Sequence, residues 1–290
     1  MASTPAPSTP PCALAVRLDP GGAVVCDPRL PFLRADDLGV LRGDGVFERF
    51  LVYGDRPRHL EDHLARLARS AAMTGLEIPA VAAWRAAVSS ATAAWTGPDE
   101  WEMRLVCTRG PEEGGPPVAY VLAQELAASL LRQRTEGVAV VTVERGLASG
   151  LSQDAPWLLL GAKTLSYAVN MAVKRWAAAQ GADDAVFVGQ GGEVWEAGTS
   201  AVVVAFGRRL VSPPASVGIL DSISVDHLFT SAAAAHWATE RVRLNLDDLY
   251  RADGLWLSSS LRFVQVHTID GKSLPPAPAH AELAALAAAS

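Results

Sequence analysis

The chain has 290 residues, of which 50% are hydrophobic and 19% are charged, and its formal net charge at pH 7 is −6. The length allows one large domain or two smaller ones, with ample apolar material for a core. The acidic balance and the lack of a basic run argue against nucleic acid as a partner. No apolar stretch approaches the roughly 20 residues that a membrane span needs.

The first eleven residues, MASTPAPSTPP, are rich in Pro, Ser, Thr and Ala. They lack the charged start and the apolar stretch of a signal peptide, so we predict a disordered tail over residues 1–12. Cys12, Cys26 and Cys107 are odd in number and have no metal-binding spacing. Reduced thiols in a cytoplasmic protein fit this pattern best.

The next part of the chain carries strand patterns and helix patterns in separate groups. Apolar runs predict strands at Ala13–Leu18, Gly22–Val25, Val46–Tyr53, Trp101–Thr108 and Val118–Leu122. Helical spacing predicts helices at Leu60–Ala72 and Val81–Ala94. This segregation is typical of an α+β fold, and we assign residues 13–125 to a small α+β domain.

A polar, less regular stretch follows, and we predict a linker over residues 126–136. Residues 137–290 are predicted to form a larger, β-rich α+β domain, which leaves a cleft between the two. Its predicted strands are Gly137–Val143, Ala185–Val188, Val194–Glu196, Ala201–Phe206, Arg209–Val211, Gly254–Leu257 and Val264–Ile269. Its predicted helices are Thr164–Gln180, Ile223–Ala238 and Ala279–Ala289.

Lysine is rare in this chain, and one of its three lysines has unusual surroundings. Lys163 closes the apolar run 157–162 just before a predicted helix, whereas Lys174 and Lys272 are predicted to be solvated. Burial favours the neutral amine, which is a nucleophile that condenses with carbonyls. From its position alone, Lys163 is also compatible with a lysine whose stem lies along the edge of the core.

Four further features suit a lysine that carries a cofactor. Glu196 ends a strand and offers an anion to a pyridine nitrogen, which needs one to stay protonated. The predicted helix start at Ile223 and Ser224 offers unpaired N–H groups to a phosphate. Arg66 can bind a phosphate bidentately, and Ser260 can add a hydroxyl. Taken singly, each is also compatible with an ordinary surface charge, helix start or turn.

No competing chemistry is supported by a motif. The chain lacks G-x-S-x-G, the P-loop pattern and H-E-x-x-H. Its six histidines are scattered, and only His59 and His63 lie four residues apart, with no third ligand near them in sequence. We therefore predict no metal site.

The order of these residues resembles the fold-type-IV pyridoxal-phosphate (PLP) enzymes, which include branched-chain aminotransferases, D-amino-acid aminotransferases and aminodeoxychorismate lyases. The segments that carry the resemblance are Arg42–Glu48, His63–Leu67, Arg104–Gly110, Lys163–Tyr167, Val194–Ser200, Ser212–Pro214, Gly218–Leu220 and Ile223–Ser224. The resemblance implies a two-domain α+β architecture with PLP in the interdomain cleft. It also implies a homodimer that acts on a small molecule.

The resemblance further implies a role for each candidate. Lys163 is implied to bind the cofactor's aldehyde and later to move the substrate proton, and Glu196 to hold the pyridine nitrogen. The remaining cofactor contacts are implied to come from Arg66, the backbone N–H groups of Ile223 and Ser224, the Ser260 hydroxyl, and Tyr167 at the ring's phenolic oxygen.

Two positions depart from the family pattern. Asp221 stands at the helix start near the expected phosphate, and Ala201 replaces the Asn that usually follows the Glu-containing turn. A carboxylate-binding Arg that several members carry in a nearby loop has no counterpart here. We take Arg104 and Arg49 as candidate anchors for the substrate carboxylate, since alternation places Arg49 on the same strand face as Phe47.

Among the family's reactions, the resemblance favours aminodeoxychorismate lyase. That enzyme converts 4-amino-4-deoxychorismate to 4-aminobenzoate and pyruvate for folate biosynthesis, by proton abstraction and elimination. The Gly-Asp-Gly-Val-Phe-Glu segment, the compact length and the short Gly/Pro loop after Thr-Arg-Gly are more similar to lyases than to branched-chain transaminases. A transaminase of branched-chain or D-amino-acid type and an inert family member stay open as alternatives.

Overall fold

The computed structural model describes residues 13–148 and 155–289, so the predicted tail over residues 1–12 lies outside the described part. The first unit is an antiparallel six-stranded sheet in the order β2-β1-β6-β5-β3-β4. Its strands are β1 Ala13–Asp19, β2 Gly22–Cys26, β3 Gly45–Tyr53, β4 Arg56–Pro57, β5 Glu100–Thr108 and β6 Val118–Glu125. Its helices are α1 Leu38–Arg42, α2 Leu60–Met73 and α3 Val81–Ala94.

One face of this sheet packs on α2 and α3. Strand residues such as Phe50 and Met103 form a fully buried cluster with Leu67 of α2 and Trp84 of α3. Because side chains alternate along a strand, the residues between them point to the opposite face. That opposite face therefore carries Phe47 and Arg49 of β3 together with Glu102 and Arg104 of β5, whereas Glu48 lies on the helix-packed face.

The second unit is a ten-stranded sheet. Its strands are β7 Val138–Glu144, β8 Asp184–Val188, β9 Glu193–Ala197, β10 Ala201–Phe206, β11 Arg209–Ser212, β12 Ala238–Arg241, β13 Leu244–Asn245, β14 Gly254–Ser259, β15 Arg262–Ile269 and β16 Lys272–Ser273. A pairing of β9 with β10 closes the ring β10-β14-β15-β7-β8-β9. Valine and leucine side chains from these strands form the buried core of this unit. The α+β fold class predicted from the sequence is confirmed.

Five helices accompany the second unit within the described residues. They are α4 Ala128–Glu136, α5 Ala168–Ala179, α6 Ile223–Ala234, α7 Leu246–Arg251 and α8 His280–Ala289. Helix α4 occupies the segment that was predicted as an irregular linker. It buries no residue, so it lacks the apolar periodicity that predicts a helix. Arg134 ties it to the sheets by bonds to the Leu261 carbonyl at 2.6 Å and to Glu100 at 2.8 Å.

Two predicted helices differ from the structure in length, and one predicted lysine differs in its environment. Helix α5 begins at Ala168 rather than Thr164, because the residues before it pair with β3. Helix α6 ends at Ala234 rather than Ala238; His236 is left-handed with φ 65, and Trp237 turns into the core. Lys174 is half-buried rather than fully solvated, and its amine lies 3.8 Å from the buried carboxylate of Asp184.

The apolar stripe of α5 is mostly uncovered. Val173 and Ala177 are buried, whereas Val169, Met171 and Trp176 expose 51%, 44% and 47% of their surface. In the described part of the chain, no helix is long and apolar enough to cross a membrane.

Candidate active site

The Lys163 segment is an extended piece of chain held between the two units. The Lys163 carbonyl accepts a bond from Phe47 N at 3.0 Å, and Leu165 N donates to the Gly45 carbonyl at 2.8 Å. The Lys163 N–H donates to Ser70 Oγ of α2 at 3.0 Å. Gly45 admits this close approach, since a Cβ there would lie 2.7 Å from Leu165 Cδ1. The lysine backbone is therefore fixed by both the small sheet and α2.

The Lys163 side chain is half-buried and reaches over aromatic rings. Its Nζ lies 4.6 Å from the centre of the Phe47 ring and 5.9 Å from that of Tyr167. Burial lowers the pKa of the amine to about 8, and the positive charges of Arg66 and Arg49 act in the same direction. A larger share of the amine is therefore neutral near pH 7 than for an exposed lysine.

Glu196 lies near the end of β9 in the same half-buried region. Its Oε2 accepts a bond from Leu220 N at 3.4 Å. Burial raises the pKa of its carboxyl to about 7, while the charge of Lys163 opposes this rise. A carboxyl with a pKa near 7 can share a proton with a nitrogen base, and a cationic partner favours its ionised form.

The start of α6 meets the turn between β14 and β15. Ser224 Oγ lies 3.4 Å from Ser260 Oγ, and the Ser260 hydroxyl lies 3.4 Å from His63 Nε2. Ser222 is the N-cap, and it accepts from Val225 N. The N–H groups of the first helical residues have no intrahelical acceptor, so they favour an anion at this point.

Arg66 is buried rather than a surface charge. Its Nε and Nη2 donate to the two oxygens of Glu48 at 2.7 and 2.8 Å, and its Nη1 donates to the Asp221 carbonyl at 2.8 Å. His63 Nδ1 lies 2.7 Å from the same Glu48 carboxylate. Arg66 and His63 hold the pKa of Glu48 near 2 against the effect of burial. Asp221 itself is exposed, so its unfavourable charge stays in solvent.

Sequence reasoning assigned no role to Glu48 or His63. A signal was nevertheless present, because Glu48 interrupts the apolar strand β3, and His63, Arg66 and Ser70 recur at helical spacing on α2. All four residues are buried in the structure. The polar edge of α2 thus faces the start of α6 and the Lys163 segment.

The two predicted carboxylate anchors lie on the open face of the small sheet. Arg49 of β3 stands directly opposite Arg104 of β5 in the antiparallel ladder. Both are ion-paired with Glu102, whose side chain is only 5% exposed. Tyr167 packs edge-on against Phe47 with ring centres 5.4 Å apart, and burial raises its pKa to about 12.

A histidine pair joins α2 to α6 beside this region. The rings of His59 and His227 are stacked with centres 3.5 Å apart, and His227 Nε2 lies 2.8 Å from Asp62 Oδ2. The possible ligand atoms of these three residues all lie within 4.8 Å of one another. Their separation in the chain hid this grouping from the sequence. The absence of a metal site stays a prediction.

The groups around Lys163 fit PLP in three separate respects. An aldehyde needs a nucleophilic amine, which the lowered pKa of Lys163 provides. A pyridine nitrogen needs an anionic partner, and Glu196 lies close enough to Lys163 for each to shift the other's pKa. A phosphate needs N–H and hydroxyl donors, which the α6 start and Ser260 offer. The fold and this site define a PLP-dependent enzyme of fold type IV.

Comparison with known proteins leads to the same class. The family model of class IV amino-transferases matches residues 45–269. A bifunctional aminodeoxychorismate lyase / D-amino acid transaminase of Mycobacterium tuberculosis is 41% identical over 264 residues, which cover 88% of this chain and 91% of that protein. The chain belongs to the class IV amino-transferase family, and its cofactor is PLP.

Solved structures agree over nearly the whole chain. A hypothetical aminotransferase from M. tuberculosis in a PLP-bound form has a TM-score of 0.91 and 41% identity, covering 96% of this chain and 98% of its own. A form of a protein of the same description with α-ketoglutarate and PMP bound also has a TM-score of 0.91 and 41% identity, covering 95% of this chain and 98% of its own.

Proposed function

We propose that this enzyme is an aminodeoxychorismate lyase, which releases pyruvate from 4-amino-4-deoxychorismate and leaves 4-aminobenzoate. The observation that carries the proposal is the half-buried Lys163 amine, with its lowered pKa, between Glu196 and the arginines of the small sheet. The relative named as a bifunctional lyase and transaminase supports this choice of reaction at 41% identity.

When bound, PLP supplies an electron-withdrawing ring that stabilises negative charge on the amine-bearing carbon of the substrate. In this proposal Lys163 would hold the cofactor's aldehyde, and its freed amine would remove the proton from that carbon of the substrate. Glu196 would hold the ring nitrogen and favour its protonated form, and Tyr167 would contact the phenolic oxygen.

The phosphate is held in this proposal by the N–H groups of Ile223 and Ser224 and by the Ser260 hydroxyl. Arg66 acts at the same place, since its Nη1 already bonds the Asp221 carbonyl at the helix start. Its other two nitrogens are engaged by Glu48. In this proposal Arg66 therefore contributes positive charge near the phosphate and orients the helix start, and it does not bind the phosphate through a bidentate pair of hydrogen bonds.

The elimination then needs one further proton movement. The bond between the ring carbon and the enolpyruvyl oxygen would break with its electron pair going to that oxygen, and the electron pair of the broken C–H bond would form the double bond that completes the aromatic ring. Lys163 returns its proton to the departing group, which leaves as pyruvate. Aromatisation makes this step effectively irreversible.

An amino-acid transaminase is the second candidate, and specific observations favour it. The relative's name includes D-amino acid transaminase, and a similar structure contains α-ketoglutarate and PMP. A transaminase shares the proton removal by Lys163 but then passes the amino group to a keto acid. The two candidates therefore differ in whether a keto acid is consumed.

The deciding assay follows pyruvate from 4-amino-4-deoxychorismate with lactate dehydrogenase and NADH. We expect release of pyruvate in step with 4-aminobenzoate and with no keto acid added. D-alanine or a branched-chain amino acid, tested with and without an added keto acid, is the matched control, because a transaminase turns these over only when a keto acid is present. Absence of pyruvate from the first substrate, together with keto-acid-dependent turnover of the second, would reject the lyase.

A homodimer is part of the proposal. Helix α5 exposes Val169, Met171 and Trp176, and Trp157 in the preceding segment exposes 75% of its surface, so large apolar side chains are available for a partner surface. We expect a mass twice that of the chain in sedimentation velocity at micromolar concentration. Trp176→Glu should shift the population toward the monomer, whereas Lys272→Glu on the exposed strand β16 should not. A purely monomeric wild type would contradict this part.

A further inference from the structure

Two arginines and one glutamate form a charged cluster on the open face of the small sheet. Arg49 and Arg104 are cross-strand partners, so their side chains emerge side by side on this face. Like charges placed directly opposite one another destabilise a sheet. Glu102 lies two residues before Arg104 on the same face and contacts both, with Arg104 Nη2 at 3.4 Å and Arg49 Nη2 closer still.

This cluster has one carboxylate for two guanidinium groups, which leaves one formal positive charge. Within residues 13–148 and 155–289, the buried Nε atoms of Arg49 and Arg104 have no hydrogen-bond partner. An unpaired buried N–H costs free energy, so the cluster favours a further acceptor. The Glu102 side chain is 5% exposed, whereas those of Arg49 and Arg104 are 33% and 35% exposed. A ligand can therefore reach the arginines but not easily displace the glutamate.

The cluster lies within reach of the reacting amine. Phe47 precedes Arg49 by two residues on the same strand face, and Lys163 Nζ lies 4.6 Å from the Phe47 ring. Two residues of a strand span roughly 7 Å, which is about the length of a small amino acid. The positive charge of Arg49 is also among the influences that lower the pKa of the Lys163 amine, after burial and the charge of Arg66.

We propose that Glu102 is a specificity-determining residue, which neutralises one of the two arginines and so limits this part of the site to a single substrate carboxylate. The inference rests on the proposed function for where the substrate lies, but not for which reaction follows. A substrate with a second carboxylate has to place that group away from the cluster. Without the Glu102 charge, the arginine pair accepts both carboxylates of a compact dicarboxylate.

The test compares two four-carbon acids that differ by one carboxylate, succinate and butanoate. Their dissociation constants are measured on the holoenzyme by the change in cofactor absorbance, and on the apo-protein by calorimetry. In Glu102→Gln we expect the preference for succinate over butanoate, measured as the ratio of their dissociation constants, to rise about tenfold above wild type. A rise of this size is expected when one charge-assisted hydrogen bond is added. Retained cofactor absorbance and circular dichroism show that the variant is folded.

Glu100→Gln is the matched control. Glu100 lies on the same strand and face but is paired with Arg134 at 2.8 Å. The preference of Glu100→Gln for succinate over butanoate should therefore stay at the wild-type value. An unchanged preference in folded Glu102→Gln overturns the inference, as does an equal rise in Glu100→Gln.

A second variant keeps the inference testable if Glu102→Gln does not fold. Arg104→Gln brings the formal charge of the cluster from +1 to zero, and we expect butanoate to bind at least about tenfold more weakly. Wild-type affinity for butanoate in this variant overturns the inference. Pyruvate release by the wild type is measured separately, so a failed lyase assay leaves these ligand preferences unaffected.

Discussion

Replacing Lys163 with alanine is expected to lower turnover by about a thousandfold or more, because the proposed function gives this one amine both the covalent bond to the cofactor and the proton transfer. Borohydride reduction followed by mass spectrometry should show the cofactor joined to the wild-type chain and absent from the variant. Lys272→Ala is the matched control: Lys272 is exposed in strand β16, so this variant should keep wild-type turnover and the cofactor adduct. A cofactor adduct that persists in Lys163→Ala would place the covalent bond elsewhere.

The environment of Lys163 also predicts how the rate of cofactor attachment depends on pH. The neutral amine is the nucleophile, and burial lowers its pKa from 10.5 to about 8. The rate of cofactor attachment to the apo-protein should therefore rise with pH, reach half its maximum near pH 8 and level off above that. A rate that continues to rise beyond pH 10 would show that the amine is solvated like an ordinary lysine.

Replacing Glu48 with glutamine is expected to lower the free energy of unfolding by about 3–5 kcal/mol, as is usual when one partner of a buried ion pair is removed. The change leaves the Arg66 guanidinium buried without its anion and removes an acceptor from His63. Urea denaturation measures the loss. Glu61→Gln is the control on neighbouring α2, where an exposed pair with Arg85 at 2.6 Å should contribute little.

The pH dependence of the free energy of unfolding gives a second measure of how much Glu48 stabilises the protein. The pKa of Glu48 falls from 4.5 to about 2 on folding, so its ionised form stabilises the native state above pH 4.5. That stabilisation is lost as the pH falls from about 4.5 to 2. The difference in free energy of unfolding between wild type and Glu48→Gln should therefore become smaller as the pH falls over this interval. A gap that stays constant from pH 7 to pH 2 would contradict a charged Glu48.

Much of the site was readable from the sequence because each signal is local. The apolar run before Lys163, the turn after Glu196 and the helix start at Ile223 each occupy a few consecutive residues. Strand and helix periodicity likewise predicted most elements and the α+β class. Where structure and prediction differ, the local signal is weak: α4 buries no residue completely, and the first residues expected in α5 are extended because β3 is available to pair with them.

The sequence by itself determined the fold class, the family and the cofactor, since these depend on residue types in a fixed order, and it singled out Lys163 as the candidate that carries the cofactor. Only the tertiary structure decided which charges meet. Glu48 joins His63 and Arg66 across 15 and 18 residues, and Glu102 meets Arg49 across 53 residues. These contacts depend on the register of β3 against β5 and on the packing of α2 over the sheet. A shift of one residue in that register would turn the side chains of β3 or β5 to the other face and separate them from these partners, so no local pattern can specify the contacts.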